Sequence, residues 1–340
     1  MNYDISVIIP AYNSADTLEM ALKSVRRQRF DQKRVQILVI DGGSADRTRE
    51  IAGKYGASVI DNPKRLPEPA KLIGIRASSG KYGVFLDSDE IFRSSRTFER
   101  RFSFLETHEN IKNMVSSGRL NAPGAPGVVR YANAVGDPFS NFVYLHYNGY
   151  DRIRSMKKAF PHREEGSAVI YDLSRADFLP LYDAGGHTFD LTFVKGMLSE
   201  SGDPENLVSN LFDRIVLKTG VTAQLKGDPI YHIPPMDPEV YRRKLRWRII
   251  NSLFGSIGGV GFAERRKTSH FLRRRQYGYV LYCTAVFPVI YDAFRMALMY
   301  GDSYFLSHVY WNYYVFFNIA YYCGRKLLNR PPETEKGYGK

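Results

Sequence analysis

Residues 1–235 predict an α/β fold, a doubly wound and mostly parallel sheet, followed from 236 to 330 by a basic, aromatic helical tail. Three observations carry this. Short β-branched runs with no period of two recur before residue 90, namely DISVIIP (4–10), VQILVI (35–40) and YGVFL (82–86). Such runs mark strands buried on both faces. Segments of helical period lie between them, so strand and helix alternate as βαβ units with short connections. Charge, finally, is split: of the net +13, +12 sits in residues 240–340, where 17 basic residues face 5 acidic ones.

After the first strand, residues 11–27 predict a loop and helix in which Leu18, Ala21, Leu22 and Val25 share a face and Ser14 or Asp16 caps the start. The second strand runs into DGGSADRT (41–48), a glycine turn with Asp46 or Thr48 as the next cap, then a helix through 51–55 and a third strand at 57–61. Pro63, Pro67 and Pro69 predict a rigid loop. A helix over 71–77 leads to the fourth strand, which ends in DSDE (87–90). Ligands of doubly wound sheets bind beyond the carboxyl ends of the strands, where this chain places polar, loop-forming residues. Farther on, the pattern predicts a helix over 94–112, a strand in GSAVIY (166–171), one helix over 207–217 ended by Gly220, and a closing strand at 230–235. Residues 119–150 are rich in Pro, Gly and aromatics and show no period.

Apolar residues at 44% and charged residues at 24% exclude a disordered chain. Two cysteines, Cys283 and Cys323, exclude a disulfide framework and a cysteine-based zinc cluster. The opening MNYDISVIIP has neither a basic n-region nor a long apolar h-region, so no cleavable signal peptide is expected and the first 235 residues should be cytoplasmic.

The tail begins with YRRKLRWRII (241–250), continues uncharged and glycine-rich to 263, and holds six basic side chains over 264–275. Gln276–Tyr291 is uncharged, Asp292 and Arg295 follow at i,i+3 spacing, and Ser303–Cys323 has 21 residues with no acid, Lys or Arg. As a helix that last run is roughly 31 Å long, the thickness of a hydrocarbon core. With Gly301-Asp302 as a turn and basic clusters at both outer ends, the pattern predicts basic amphipathic interface helices over 236–275, a membrane-embedded hairpin over 276–330 with cytoplasmic ends, and a flexible tail at 331–340. Helices lying in the interface are the other reading, because His308, Asn312 and Asn318 lower the hydropathy. The expected localisation is the cell membrane and the expected partner an anionic membrane surface; long uncharged aromatic runs argue against nucleic acid.

Asp87-Ser88-Asp89 is the sharpest chemical feature. Two carboxylates one residue apart, after a buried strand, repel unless a cation neutralises them. Mg2+ or Mn2+ binds in this way, through one or two carboxylates plus phosphate oxygens.

The strings VIIPAYN (7–13), LVIDGGSADRT (38–48) and GVFLDSDE (83–90), in this order on successive strands, resemble the inverting family 2 glycosyltransferases with the GT-A fold. The likeness is strong over about 4–92 and looser over 160–247. It implies a nucleotide-sugar donor, with Pro10, Ala11, Tyr12 and Asn13 lining the nucleotide pocket and Asp41 meeting the base or ribose. Asp87 would bind ribose or metal, with Ser88 beside it, and Asp89 the metal bridging the diphosphate. Lys71 and Arg76 could add phosphate counter-charge. His232 corresponds to a late histidine that related enzymes sometimes bring to the metal.

An inverting transfer needs a base to take the acceptor hydroxyl proton. The family places it in an ED or TED motif at a helix start, and here the stretch reads SESGDPENLVSN (199–210), with no intact TED. Asp203 is the first candidate and Glu205 the next, with Glu200 and Asp190 in reserve; Asp203 before Pro204 also suits an N-cap. Arg243-Lys244-Leu245-Arg246-Trp247 resembles the QxxRW motif of cellulose-synthase-like enzymes, which implies Arg243 and Arg246 on the diphosphate and Trp247 stacked on the acceptor sugar, although Arg stands in the first position.

The combined expectation is a membrane-associated, metal-dependent hexosyltransferase of glycan biosynthesis. It would move mannose from GDP-mannose to a lipid-linked saccharide or polyprenyl phosphate, as an archaeal membrane mannosyltransferase of N-glycosylation would. The alternatives are a cellulose- or mannan-like polysaccharide synthase and a non-enzymatic anionic-lipid-binding protein. A nucleotidyltransferase would want a glycine-rich basic loop where Pro10–Asn13 stand.

Overall fold

Main-chain pairing puts the four early strands side by side in the computed structural model, which describes residues 3–145, 149–182, 185–255, 269–330 and 332. The chain divides into two compact units, one of residues 1–122 and 150–234, the other of 123–149 and 235–340.

In the first unit β1 (Tyr3–Ala11), β2 (Val35–Asp41), β3 (Ser58–Asp61) and β4 (Gly80–Phe85) run parallel in the order β3-β2-β1-β4. Ala11 pairs with Asp41 and Asp41 with Asp61, so three carboxyl ends finish level. Helices α1 (Ala15–Arg26) and α2 (Thr48–Lys54) cover one face, with Leu18, Leu22, Val25 and Ile51 in one core with Val7, Ile9 and Val39. Helix α3 (Pro67–Ala77) covers the other, joining Ala70, Leu72 and Ile75 to Ile8, Leu38, Ile40 and Phe85. Alternate residues of β1 thus enter opposite cores, which is why its sequence lacks a period of two.

Helix α3 starts four residues before the predicted 71. Pro67 and Pro69, expected in a loop, sit at or next to its first turn, where backbone N–H groups have no intrahelical partner anyway. The chain continues through β5 (Glu90–Phe92), α4 (Thr97–Thr107), β6 (Asn113–Met114) and β7 (Arg119–Leu120). Residues of α5 (Gly127–Val135) and α6 (Pro138–Val143) belong to the second unit. The first unit resumes with α7 (Arg152–Ala159), β8 (His162–Glu165), β9 (Ala168–Asp172), β10 (Thr188–Asp190), α8 (Leu191–Ser199), α9 (Pro204–Ser209), α10 (Leu211–Thr219), β11 (Val221–Leu225) and β12 (Ile230–His232). Strand β10 runs antiparallel to β4 and extends the sheet to nine strands, ending β10-β6-β11-β9-β8. A separate small sheet has the order β5-β12-β7.

Two predicted helices change. That over 94–112 is only Thr97–Thr107, and that over 207–217 is two, α9 and α10, broken at Asn210. The Asn210 side chain donates to the Asn206 carbonyl (3.1 Å), the competition with backbone that makes Asn a poor interior residue. Gly220 ends α10 as predicted, in the left-handed region.

The second unit gathers α5 and α6 with α11 (Pro238–Phe254) and the helices His270–Thr284, Phe287–Tyr300 and His308–Leu327. Arg130 on α5 grips Asp302 through Nε (2.6 Å) and Nη2 (3.0 Å), and the Tyr131 ring packs near Tyr241, Phe305 and Trp311. The unpatterned stretch 119–150 therefore holds two helices that pack on others of this unit.

The predicted hairpin is altered. Gly301 does turn the chain, but the run before it is two helices bent by 94° at Ala285–Val286, with Pro288 in the first turn of the second. Among the described residues no single helix is long and apolar enough to cross a membrane; only this bent pair passes together, by length and composition. Residues 256–263 of the uncharged run, Arg265–Lys267 of the basic cluster, and all of the predicted flexible tail except Pro332 lie outside the described residues.

Candidate active site

The level strand ends form a rim fixed by short polar side chains. Asn13 takes φ +46°, a region Asn tolerates, and its amide N–H donates to Ser44 Oγ (2.8 Å) while its Oδ1 accepts from Ala45 N (2.9 Å). Ser14 stands at the N-cap of α1, yet its hydroxyl bonds Tyr12 and Ser88 (3.0 Å) instead of capping. Asp46 does that work from the next loop, accepting from Ala15 N (3.0 Å) and from Thr48 N (3.0 Å). The PAYN and DGGSADRT strings thus lock to each other.

Gly42 lies under Tyr12; a Cβ there would stand 3.2 Å from the ring. Arg65, from the proline loop, places its guanidinium 5.8 Å from the Tyr12 ring centre. Sequence reasoning passed Arg65 over, since nothing local ties it to Tyr12. Asp41 stands at the same rim, at the end of β2. Its side chain is fully buried and taken by Ser44 N (3.1 Å), Ser44 Oγ (2.5 Å) and Arg49 (3.0 Å), so it holds the loop in place, and a base or ribose would have to displace one of them.

Strand β4 delivers DSDE to the same rim. Glu90 N donates to Asp87 O (2.9 Å) and Asp87 N to Glu90 Oε2 (3.0 Å), closing a turn around a buried carboxylate. Burial, aided by the charges of Asp87 and Asp89, holds Glu90 above the usual carboxylate range despite Arg119 at 3.6 Å. Asp87 Oδ1 lies 4.0 Å from Lys71 Nζ on α3.

His232 reaches Asp89 through the small sheet. Antiparallel pairing sets Ile230 against Phe92 and His232 against Glu90, and Ile233 N donates to Asp89 O (2.8 Å). His232 Nε2 then stands 3.7 Å from Asp89 Oδ2, both largely shielded. Two donors each about 2.1 Å from one ion at 90–120° stand about 3.0–3.6 Å apart, so this pair suits a shared divalent cation with only a small adjustment. Among the described residues no group of three His, Cys, Asp or Glu converges on one point.

Behind this pair, the buried Arg101 bonds Asp228 (2.6 Å), Thr188 Oγ1 (2.9 Å) and the carbonyl of Gly186, pinning the entry to β10. His187 is buried there, and desolvation, then the charges of Arg101 and Lys71, push its imidazole down to about 3. Arg101, Asp228, Arg119 and His187 carry no motif and were not singled out from the sequence.

The base candidates scatter. Asp203 is exposed and caps α9, accepting from Asn206 N (3.1 Å), with α9 packed into the same core as α3. Glu205 pairs with Lys64, just past the end of β3. Glu200 pairs with Lys218 (3.0 Å). Asp190 sits opposite Tyr82, five residues before Asp87, near the start of β4, and is held by Lys112 (2.9 Å). In the second unit Arg243, Arg246 and Trp247 share one face of α11 by their i,i+3 and i,i+4 spacing, with Trp247 buried.

Residues 6–154 match the model of glycosyl transferase family 2. This stretch is thus similar to the family 2 glycosyltransferases. It holds the PAYN rim, the DGGSADRT loop and the DSDE turn. Curated relatives of the domain include the glycosyltransferase AglE of Haloferax volcanii, 35% identical over 91 residues, which are 25% of this chain and 30% of that one. Another is the poly(ribitol-phosphate) beta-N-acetylglucosaminyltransferase TarS of Staphylococcus aureus, 25% identical over 127 residues, 36% of this chain and 22% of that one. The chain therefore spans less than a third of either relative. The fold of a mannosyltransferase from Pyrobaculum calidifontis, solved with GDP-Man and Mn2+, is similar over 97% of this chain and 88% of that one, with a TM-score of 0.52 at 13% identity. The chain thus has a GT-A-like α/β architecture; nothing in these likenesses points to a cellulose-synthase branch.

Proposed function

We propose that the chain transfers a hexose, with inversion, from a nucleoside diphosphate sugar to a lipid-linked acceptor. The observation that carries this is the pairing of Asp89 with His232 at the carboxyl end of β4, two candidate ligands for a divalent cation beside the rim of strand ends. Bound there with Asp87 nearby, Mn2+ or Mg2+ would neutralise the diphosphate leaving group. Asp203 takes the proton of the acceptor hydroxyl as its oxygen bonds the anomeric carbon, and the bond from that carbon to the diphosphate oxygen breaks on the opposite side. Lys71 adds positive charge on the leaving-group side. Mannose from GDP-mannose is the favoured donor, supported by the fold shared with a mannosyltransferase solved with that ligand.

Thermal-shift screening of GDP-, UDP- and dTDP-sugars with and without Mn2+ tests the reading. One donor should raise the melting temperature in a metal-dependent manner, since a ligand that binds only the folded state stabilises it by mass action. Asp89→Ala should lose that shift and sugar transfer while melting normally without ligand. A wild-type chain that responds to no nucleotide sugar overturns the proposal.

A further inference from the structure

We propose that the outward face of the helices between Tyr277 and Leu328 docks on the surface of an anionic lipid bilayer, sinking into the interface without crossing it. Sixteen of the eighteen large apolar side chains exposed among the described residues fall in this stretch. Phe287 is 73% and Leu298 83% exposed, and Tyr277, Leu281, Tyr291, Phe294, Phe317 and Tyr321 are open as well. Two polar groups of the same helices point the other way. His308 and Asn312 are 1% and 0% exposed; His308 bonds Tyr131 (2.7 Å) and Tyr282 (3.3 Å), and Tyr279 donates to Asn312 Oδ1 (2.9 Å). Apolar outside and polar inside is the polarity of a surface facing hydrocarbon, and an apolar stretch this extensive is rare on a monomer in water.

The charge pattern selects the occupant. Between residues 276 and 300 only Asp292 and Arg295 carry charge, and they neutralise each other at 3.0 Å, with Tyr282 also donating to Asp292. Exposed Arg273, Arg274 and Arg330 flank the stretch in sequence, and exposed Lys326 lies at its C-terminal end. Tyrosines amid apolar side chains, fringed by arginine and lysine, suit the headgroup level of an anionic leaflet. Helices of 15 and 14 residues are about 21–23 Å long and bent by 94°, too short singly for the core but able to lie within its boundary.

The test is flotation of the full chain with phosphatidylcholine vesicles with and without phosphatidylglycerol. Wild type should float with the anionic vesicles. Phe287→Glu with Leu298→Glu, both exposed and outside the donor site, should cut the floating fraction by about tenfold or more, since each removes a large inserted side chain and adds a charge. Arg273→Glu with Arg274→Glu should abolish only the preference for anionic vesicles. Melting temperature and the nucleotide-sugar response should stay at wild-type values in both, so failure here is separable from failure of the transferase reading. Wild type that does not float, or an apolar double variant that floats as well as wild type, overturns the proposal. A wild-type dimer that the Phe287→Glu/Leu298→Glu pair dissociates without changing flotation assigns the face to a second copy of the chain.

Discussion

Asp203 holds a helix and is also the proposed base. As N-cap of α9 it accepts from Asn206 N, a task Asn performs equally well, so Asp203→Asn should change stability by less than about 0.5 kcal/mol. The amide cannot accept the acceptor proton, and turnover should fall by about 10²–10⁴ with donor binding unchanged. Near-native turnover in Asp203→Asn removes it as the base. His187 offers a second residue-scale measurement. Its imidazole titrates near 6.5 when unfolded but is held at about 3 in the fold, so between those values the unfolded chain binds the extra proton. That stability is complete above about pH 6.5 and is lost as pH falls toward 3, a contribution of the order of 5 kcal/mol. His187→Phe should flatten the decline in melting temperature over that window, and an unchanged slope refutes the assignment.

At the scale of elements, the sheet sandwich depends on close approach of α3 to β1. A Cβ on Gly74 would lie 2.2 Å from Ile8 Cγ2. Ala ordinarily stabilises a helix by about 1 kcal/mol over Gly, yet here overpacking should win and Gly74→Ala should destabilise by about 1–3 kcal/mol in urea titration. Ile8→Ala removes the opposing atoms, so the double variant should be more stable than the two single costs add up to. Additivity of the two would mean that the contact does not limit packing. The short strands deserve equal weight in explaining the site: β5 and β12 have three residues each, and their register alone sets His232 against the DSDE turn.

For the whole molecule, the second unit is discontinuous in sequence. Residues 123–149 leave the first unit, pack among the C-terminal helices through Arg130–Asp302, Tyr131–Trp311 and Phe142–Tyr279, and return. A chain ending at Pro235 would strip α5 and α6 of those partners. Trypsin should then cut at Arg130 far faster than in the full chain, with a lower and broader melt; equal resistance would show that 123–149 is stable without the helices that follow it. The proposed membrane face belongs to this unit, so a shortened chain should also lose flotation.

What residues near one another could settle, they did. Buried strands, the helices between them and the DSDE end of β4 are legible because period and turn chemistry are local. The match of residues 6–154 to family 2 agrees with the three strings that first pointed there. Tertiary structure decided the rest, since it depends on surfaces that meet only after folding. Nothing near Asp41 foretold that Ser44 and Arg49 would bury its carboxylate, and nothing near His232 foretold Asp89. Residues 119–150 hid two helices because their apolar side chains answer to partners more than a hundred residues away, and the bend before Phe287 divides one uncharged run between two short helices with aromatic side chains exposed on both. A period records which face of an element is buried, but not what buries it.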